Sequence, residues 1–328
     1  MTFYVIHDQI LGTHQINEPI LIDLLQSSAI TRLQGIHQAG GSYLVRARRD
    51  RSRYEHVVGV MLLIRMLGGS LEEQIAGLIH DVSHTAFSHV ADQVFQRMAD
   101  DFHEQHFQRL VLNSDIPKLL EHYGISPVEI FDLERWSLLD QALPDLCADR
   151  IDYTLRDLFH VGYIHLAEIE HFLGSLRVYQ GKIVCSNLQA AVWFTRQYAI
   201  EVGKLFMHPL ELFANDQLAR AIRIALAKGF LSEDDLFLQD DEVLRRLQAA
   251  NDPDITRYLS RLHRGIHVVE DKDKFDIHVY SKPRIVDPLV LMKHGSALRC
   301  SELEPGLKTF HESILQRAQQ GIYIRIQA

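Results

Sequence analysis

Cysteine, long apolar runs and an excess of basic charge are all scarce in this chain, and each shortage closes off a class of function. Three cysteines in 328 residues, Cys147, Cys185 and Cys300, form no CxxC pair and no disulfide framework, so a reducing, cytoplasmic setting is expected. No stretch reaches the roughly 20 uninterrupted apolar residues that cross a bilayer. The opening MTFYVIHDQILG lacks the basic-then-apolar order of a secretory signal, and no membrane partner is expected. A formal net charge of −9 argues against general affinity for nucleic acid, which rests on neutralising phosphates with Lys and Arg. Cations gathered at one place still suit a small anion. Hydrophobic residues make up 47% of the chain and charged residues 23%, enough apolar material for a core and too little charge for disorder. Neither an internal repeat nor a low-complexity tract is visible. Histidine is the unusual abundance: there are 19, and their placement matters more than their number.

The patterning is mostly helical. Val57, Val58, Val60, Met61, Leu62, Ile64 and Leu67 cover most of a helix over 54–67, which predicts deep burial. Ser70 followed by Glu73 predicts a capping box, and the helix it opens delivers His80-Asp81 at its C-terminal end. Residues 82–88 read as a loop. Helical pattern returns from Val90, between 138 and 159, over 187–206 and over 209–227. Ser232-Glu-Asp-Asp opens another helix with acids where the dipole favours them, and 232–242 reads as a solvated face. Phe3-Tyr-Val-Ile, Asp276-Ile-His-Val-Tyr and Ile322-Tyr-Ile-Arg-Ile alternate like short strands. The expected fold is mostly α: a helical core over 1–228 and a smaller α+β lobe over 229–328. Trp136 and Trp193, among apolar neighbours, read as core.

Buried helices that carry His and Asp at their ends need a reason, because an unpaired buried charge is costly. His56 near the start of one helix, His80-Asp81 at the end of the next and Asp149 on a third together suit a divalent cation: imidazole and carboxylate accept Mn, Fe, Zn or Ni, and with water also Mg. A single His-Asp dipeptide means little. His7-Asp8 is another, without a companion, and reads as structural or surface. His80-Asp81 differs because His84, His89, Asp92 and His103 follow closely.

Three segments then become specific: Arg53-Tyr-Glu-His-Val-Val-Gly-Val, the run 75–89 containing His80-Asp-Val-Ser-His-Thr-Ala-Phe-Ser-His89, and Asp149-Arg-Ile-Asp-Tyr-Thr-Leu-Arg-Asp. They resemble the HD-domain phosphohydrolases, and more narrowly the deoxynucleoside triphosphate triphosphohydrolases. The resemblance spans residues 5–220 and, more weakly, 282–288. It implies an HD-type helical core with His56, His80, Asp81 and Asp149 as ligands to one divalent metal, and allows a second Mg on the substrate phosphates. It implies that His84, His89 and His103, with Asp92 as carboxylate partner, line the scissile bond. It assigns Arg53, Tyr153 and Arg196 to the triphosphate, with Arg150 where the family often has Lys, and Gln38 and Asp157 to the sugar. A divalent metal lowers the pKa of bound water toward ~7 and polarises a phosphoryl oxygen. An imidazole can protonate the leaving oxygen. Attack at the α-phosphorus, releasing deoxynucleoside and intact triphosphate, is the expected reaction, by a homo-oligomer.

The chain departs from that pattern in places. Phe206 and Met207 stand where the family carries Tyr and a polar residue before a retained His208, which puts base preference in question. Gln26 and Gln34 stand where the animal enzyme's activating site has Asp and Arg. No N-terminal interaction domain is expected. The run Arg46-Ala-Arg-Arg-Asp-Arg-Ser-Arg53 reads either as a focus for a polyanion, single-stranded nucleic acid included, or as a solvated loop. Two other readings accompany the triphosphohydrolase: a phosphodiesterase or nuclease using the same metal core, and a nucleotide-sensing module without turnover.

Overall fold

The computed structural model describes residues 3–97 and 101–327. The chain enters through an antiparallel hairpin, β1 (Tyr4–Asp8) and β2 (Gly12–Ile16). Asp8 closes its turn, accepting from the amides of Ile10 and Leu11 at 2.9 Å. The apolar run expected to be buried forms α1 (Arg53–Met66), which buries ten of its residues. Ser52 caps it in a full capping box with Glu55, which satisfies the orphan amides of the first turn. The second helix, α2 (Leu71–Ile79), starts at Ser70 as expected, with the Ser70 hydroxyl accepting from the Glu73 amide. The reciprocal half of that predicted box is absent: the Glu73 carboxylate accepts instead from the Leu138 amide at 2.7 Å. A local cap is thereby exchanged for a tie to a distant segment.

Residues 82–88 form the expected loop, followed by α3 (Val90–Val94) and α4 (Phe102–Leu112). The helix expected between 138 and 159 begins later, as α5 (Ala148–Val161). Residues 138–147 are turns, since Pro144 has no amide hydrogen to donate and keeps Leu143 out of helical space. Gly162 ends α5 at φ +85°, the left-handed cap that glycine adopts without penalty. Beyond it lie α6 (Leu188–Ile200), a π-helical turn at Glu201–Phe206, and α7 (Pro209–Ala227). The acidic stretch at Ser232 opens only a 3-10 turn, Asp234–Phe237, and the helix proper is α8 (Asp240–Ala249).

The strands are small. β3 (Leu176–Tyr179) and β4 (Lys182–Cys185) join through Gln180 and Gly181, both at positive φ, the backbone of a primed hairpin turn. β5 (His267–Glu270), β6 (Ile277–Val279), β7 (Leu289–Leu291), β8 (Ala297–Arg299) and β9 (Ile322–Gln327) follow. They build sheets of order β3-β4-β7-β8, with β4 and β7 parallel, and β5-β9-β6. Residues on both sides of Gly229 share the main core, in which Val60, Ile79, Leu155 and Phe194 lie in one cluster with Val286, Val290, Ile322 and Ile324. Trp136 and Trp193 sit half-buried at the edge of that core, their indole N–H groups donating to the Ile130 carbonyl and Glu168. No helix of the described residues is long and apolar enough to cross a membrane.

The approach of α1 to α5 depends on Gly59. A Cβ there would lie 2.0 Å from Asp152 Oδ1 and 2.1 Å from Arg156 Nη2. Gly59→Ala gains about 1 kcal/mol of helix propensity but must break a buried ion pair or spread the helices, at roughly 3–5 kcal/mol. We expect a net loss of about 2–4 kcal/mol, read as a lower denaturation midpoint of the metal-free chain. An unchanged midpoint would mean that the two helices part easily.

Candidate metal centre

Three helices converge on one point. His56 lies in the first turn of α1, His80 caps the C-terminus of α2 with Asp81 next to it, and Asp149 is the second residue of α5. The ligand atoms of His56, His80 and Asp81 all fall within 4.8 Å of one another. Asp149 Oδ1 lies 3.0 Å from His56 Nε2 and 3.7 Å from His80 Nε2. All four predicted ligands are therefore brought together.

Their orientation fits a cation. His56 Nδ1 bonds Asp152 Oδ2 at 2.9 Å and His80 Nδ1 bonds the Gly77 carbonyl at 2.8 Å. Each commitment sets the tautomer and turns Nε2 inward, as outer partners of metal-bound imidazoles do. His80 Nε2 is buried without a well-formed hydrogen bond, an orphan that a cation would satisfy. Two imidazoles and two carboxylates form a set that first-row divalent ions and Mg accept. In the chain by itself protons take the cation's place. Burial opposes charging of His56, yet hydrogen bonds to Asp149 and Asp152 hold its pKa up at about 10. Asp149 is buried as well, and its bond to His56, with the nearby His80 imidazole, keeps it well below the usual carboxylate range.

Asp152 and Arg156 were not singled out from sequence. Asp152 is fully buried and takes two bonds from Arg156, at 2.7 and 3.0 Å, besides the one from His56. Arg156 reaches on to Asp8 at 2.9 Å, so Asp8 is structural and braces the centre, while His7 is exposed. The i, i+3 spacing of Asp149 and Asp152, with Arg156 at i+7, was the available signal.

Beside the ligands stands a group of imidazoles. His84 and His103 stack at 3.7 Å, and the His89 ring meets them edge-on at 5.0 and 5.4 Å. Burial first, and Arg53 next, push His84 well below its usual range; burial first, and His89 next, push His103 down to about 3. His89 differs in keeping its side chain 45% exposed, with Nδ1 3.1 Å from Asp92 Oδ2. Arg53 is buried, pairs with Asp81 and donates to Ser88 Oγ. Tyr153, one turn beyond Asp149, lies 6.5 Å from the His56 ring and donates to the Tyr198 hydroxyl at 3.3 Å. Phe206 packs 6.0 Å from Tyr153, with the Arg284 guanidinium 5.3 Å from its ring. The aromatic wall is thus kept where the expected phenol is missing. His208, the retained histidine, caps α7 by accepting from the Leu210 amide.

Other expected contacts sit differently. Gln38 leaves a buried, unpartnered Oε1. Asp157 takes Arg49 Nη1 on one oxygen at 2.8 Å. Arg150 is spent on the carbonyls of Asp145 and Gln141 and on Cys147 Sγ. Arg196 is exposed, two residues and so about 200° around α6 from Tyr198. The basic run is divided: Ala47, Arg48 and Asp50 are exposed, while four of its arginines turn to carboxylates of the chain. Arg46 and Arg49 pair with Glu211, Arg51 with Glu55 and Arg53 with Asp81. The acidic stretch also corrects the expectation of a solvated face, because its Asp240 is fully buried.

Fold and site together define a helical protein built around a His/Asp metal centre. Residues 53–157 match the HD domain family. The chain is 42% identical to an uncharacterized protein, YdhJ, of Bacillus subtilis over 98% of each chain. It is 30% identical to the metal-dependent phosphohydrolase cns2 of Cordyceps militaris, over 87% of this chain and 84% of that one. It is 33% identical to the human deoxynucleoside triphosphate triphosphohydrolase SAMHD1 over 54% of this chain, but spans only 36% of that enzyme. A phosphohydrolase structure from Bacteroides thetaiotaomicron shares the fold, with TM-score 0.71 at 18% identity over the whole of both chains. The chain belongs to the HD-domain superfamily of metal-dependent phosphohydrolases.

Proposed function

We propose that this phosphohydrolase cleaves deoxynucleoside triphosphates at the α-phosphorus, releasing deoxynucleoside and inorganic triphosphate. The observation that carries this reading is the continuity of three kinds of surface. The four ligands, the His84/His89/His103 group and the wall of Tyr153, Tyr198 and Phe206 follow one another around a single centre. A metal edge, a proton-handling edge and an aromatic edge correspond to phosphate, leaving oxygen and nucleoside. The likeness to SAMHD1 supports the same substrate class.

A divalent cation held by His56, His80, Asp81 and Asp149 would supply water activation and offset of phosphoryl charge. The chain's own groups do the rest. Arg53, drawn to Asp81 in the substrate-free chain, meets the phosphates with its guanidinium. Burial keeps His84 and His103 neutral, so they serve as hydrogen-bonding groups against phosphoryl oxygens. His89, held by Asp92 and open to solvent, carries a proton to the leaving oxygen. Asp157, with Arg49 on only one of its oxygens, and Gln38, with its Oε1 unpaired, receive sugar hydroxyls.

Stripped protein reloaded separately with Mg, Mn, Fe(II) or Zn should convert at least one deoxynucleoside triphosphate to nucleoside and inorganic triphosphate, read by phosphorus NMR. Monophosphate plus pyrophosphate would overturn the α-phosphorus chemistry while leaving the superfamily intact. No turnover of any triphosphate, together with cleavage of cyclic or oligonucleotide diesters, would overturn the substrate class. The internal pairing of Arg46, Arg49, Arg51 and Arg53 leaves little of the basic run to grip a single strand.

A further inference from the structure

The loop between Asp81 and α3 presents His84 and His89 to the site. Phe87 and Ser88 both stand at positive φ, +58° and +55°, a conformation that non-glycine residues adopt only when their surroundings impose it. Thr85 contributes from within the loop, its hydroxyl donating to the Ser88 carbonyl at 2.9 Å, and further groups come from outside the segment 53–157. Asp240, fully buried at the first residue of α8, accepts from the Phe87 amide through Oδ1 at 2.6 Å. Its other oxygen takes the His37 amide at 3.0 Å and His37 Nδ1 at 2.7 Å. Leu236 adds a carbonyl to the Ala86 amide at 2.7 Å. Arg32 spans the same seam, donating to the carbonyls of Val82 and His84 on the loop and of Phe237 on the other side, all at 2.7–2.8 Å.

The chain of bonds continues inward. Ser88 Oγ donates to the His37 carbonyl at 2.6 Å and accepts from Arg53 Nε at 2.8 Å. Arg53 in turn pairs with the ligand Asp81. His37 is followed at once by Gln38. One carboxylate therefore fixes both the left-handed backbone that aims the imidazole loop and the segment that carries Gln38.

We propose that Asp240 is a positioning residue for phosphoester hydrolysis: it holds the 82–89 loop and the 37–38 segment in register with Arg53 and Asp81, and touches no substrate itself. This rests on the phosphohydrolase reading of the site.

The test uses the full chain loaded with Mn²⁺ and the triphosphate it turns over fastest, or bis(4-nitrophenyl) phosphate. Asp240→Ala, Ser88→Ala and their double variant are compared with Val243→Ala, a control that empties a buried position one turn along α8. Asp240→Ala should lower kcat/KM roughly 10- to 100-fold, with kcat falling and KM rising through the displaced Gln38 segment, while metal content stays nearly unchanged. The double variant should be no worse than the poorer single, because both act through one chain of bonds. Val243→Ala should lose Tm without a comparable loss of kcat. Equal loss of kcat in Val243→Ala, or multiplied losses in the double variant, would reduce Asp240 to ordinary fold stability and overturn the proposal. Amide exchange needs no turnover: Asp240→Ala should speed exchange at Ala86–Ser88 and Val243→Ala should not, and unchanged exchange overturns the clamp. If the parent hydrolyses nothing, the phosphohydrolase reading fails while the exchange comparison still decides the clamp.

Discussion

A His80→Ala chain is expected to fold, to lose its metal, and to lose turnover by about 10³-fold or more, since the cation would supply several kcal/mol of the barrier reduction. The effect on the stability of the metal-free chain should be small. His80→Ala gives up the Nδ1 bond to the Gly77 carbonyl and the contacts of Nε2 with Asp81 and Asp149 at 3.4 and 3.7 Å. Against that, Nε2 is buried without a well-formed hydrogen bond, and the cost of an unsatisfied buried polar group, about 1–3 kcal/mol, goes with the ring. In chelator, therefore, Tm should fall only slightly below that of the parent. Adding Mn²⁺ should raise the parent's Tm and leave the variant's in place, because only a folded state that binds a ligand is stabilised by it. Elemental analysis and paired melting curves read both quantities. A variant that keeps one metal per chain and full turnover would place the centre elsewhere.

His89→Gln is expected to separate chemistry from metal binding. The His89 side chain is 45% exposed and its one hydrogen bond is to Asp92, so its replacement should barely move Tm. Glutamine keeps a donor near Asp92 but cannot pass a proton. Loss of a positioned general acid lowers kcat by about 10²- to 10⁴-fold, with metal content and KM near those of the parent. A substrate whose leaving group needs no protonation, such as a 4-nitrophenyl ester, should lose far less. Equal losses on both substrates would show that His89 steadies the phosphate rather than the leaving oxygen.

The convergence of the four proposed ligands was legible because each occurs where two one-dimensional signals coincide, a helix end and a titratable residue. His56 follows a capped start, His80-Asp81 closes an apolar run, and Asp149 opens a third helix. The buried character of α1 was legible for the same reason, since apolar residues around the whole circumference leave no solvent face. The charges that point inward were not legible. Asp240 lies in a stretch that composition marks as solvated, and Arg46–Arg53 in one that composition marks as a cationic patch. Only the tertiary partners, Phe87 and His37 for one and Glu211 and Asp81 for the other, reverse those readings. Arg196 shows the opposite pattern: its neighbours Thr195 and Tyr198 are buried while the helix turns it to solvent. The hairpin at Gln180-Gly181 carried a turn signal too short to stand out among helices.

The brace running from Asp8 through Arg156 and Asp152 to His56 bears on how such a domain can be transplanted. Residues 53–157 hold all four proposed ligands, yet as a cassette they would leave Arg156 without Asp8 at one flank and Phe87 without Asp240 at the other. A chimera cut at those borders would carry the ligand inventory without the scaffolding that aims it. Recombination that exchanges the catalytic segment between relatives must therefore bring both flanks along, and drift in either flank is tethered to the same four ligands.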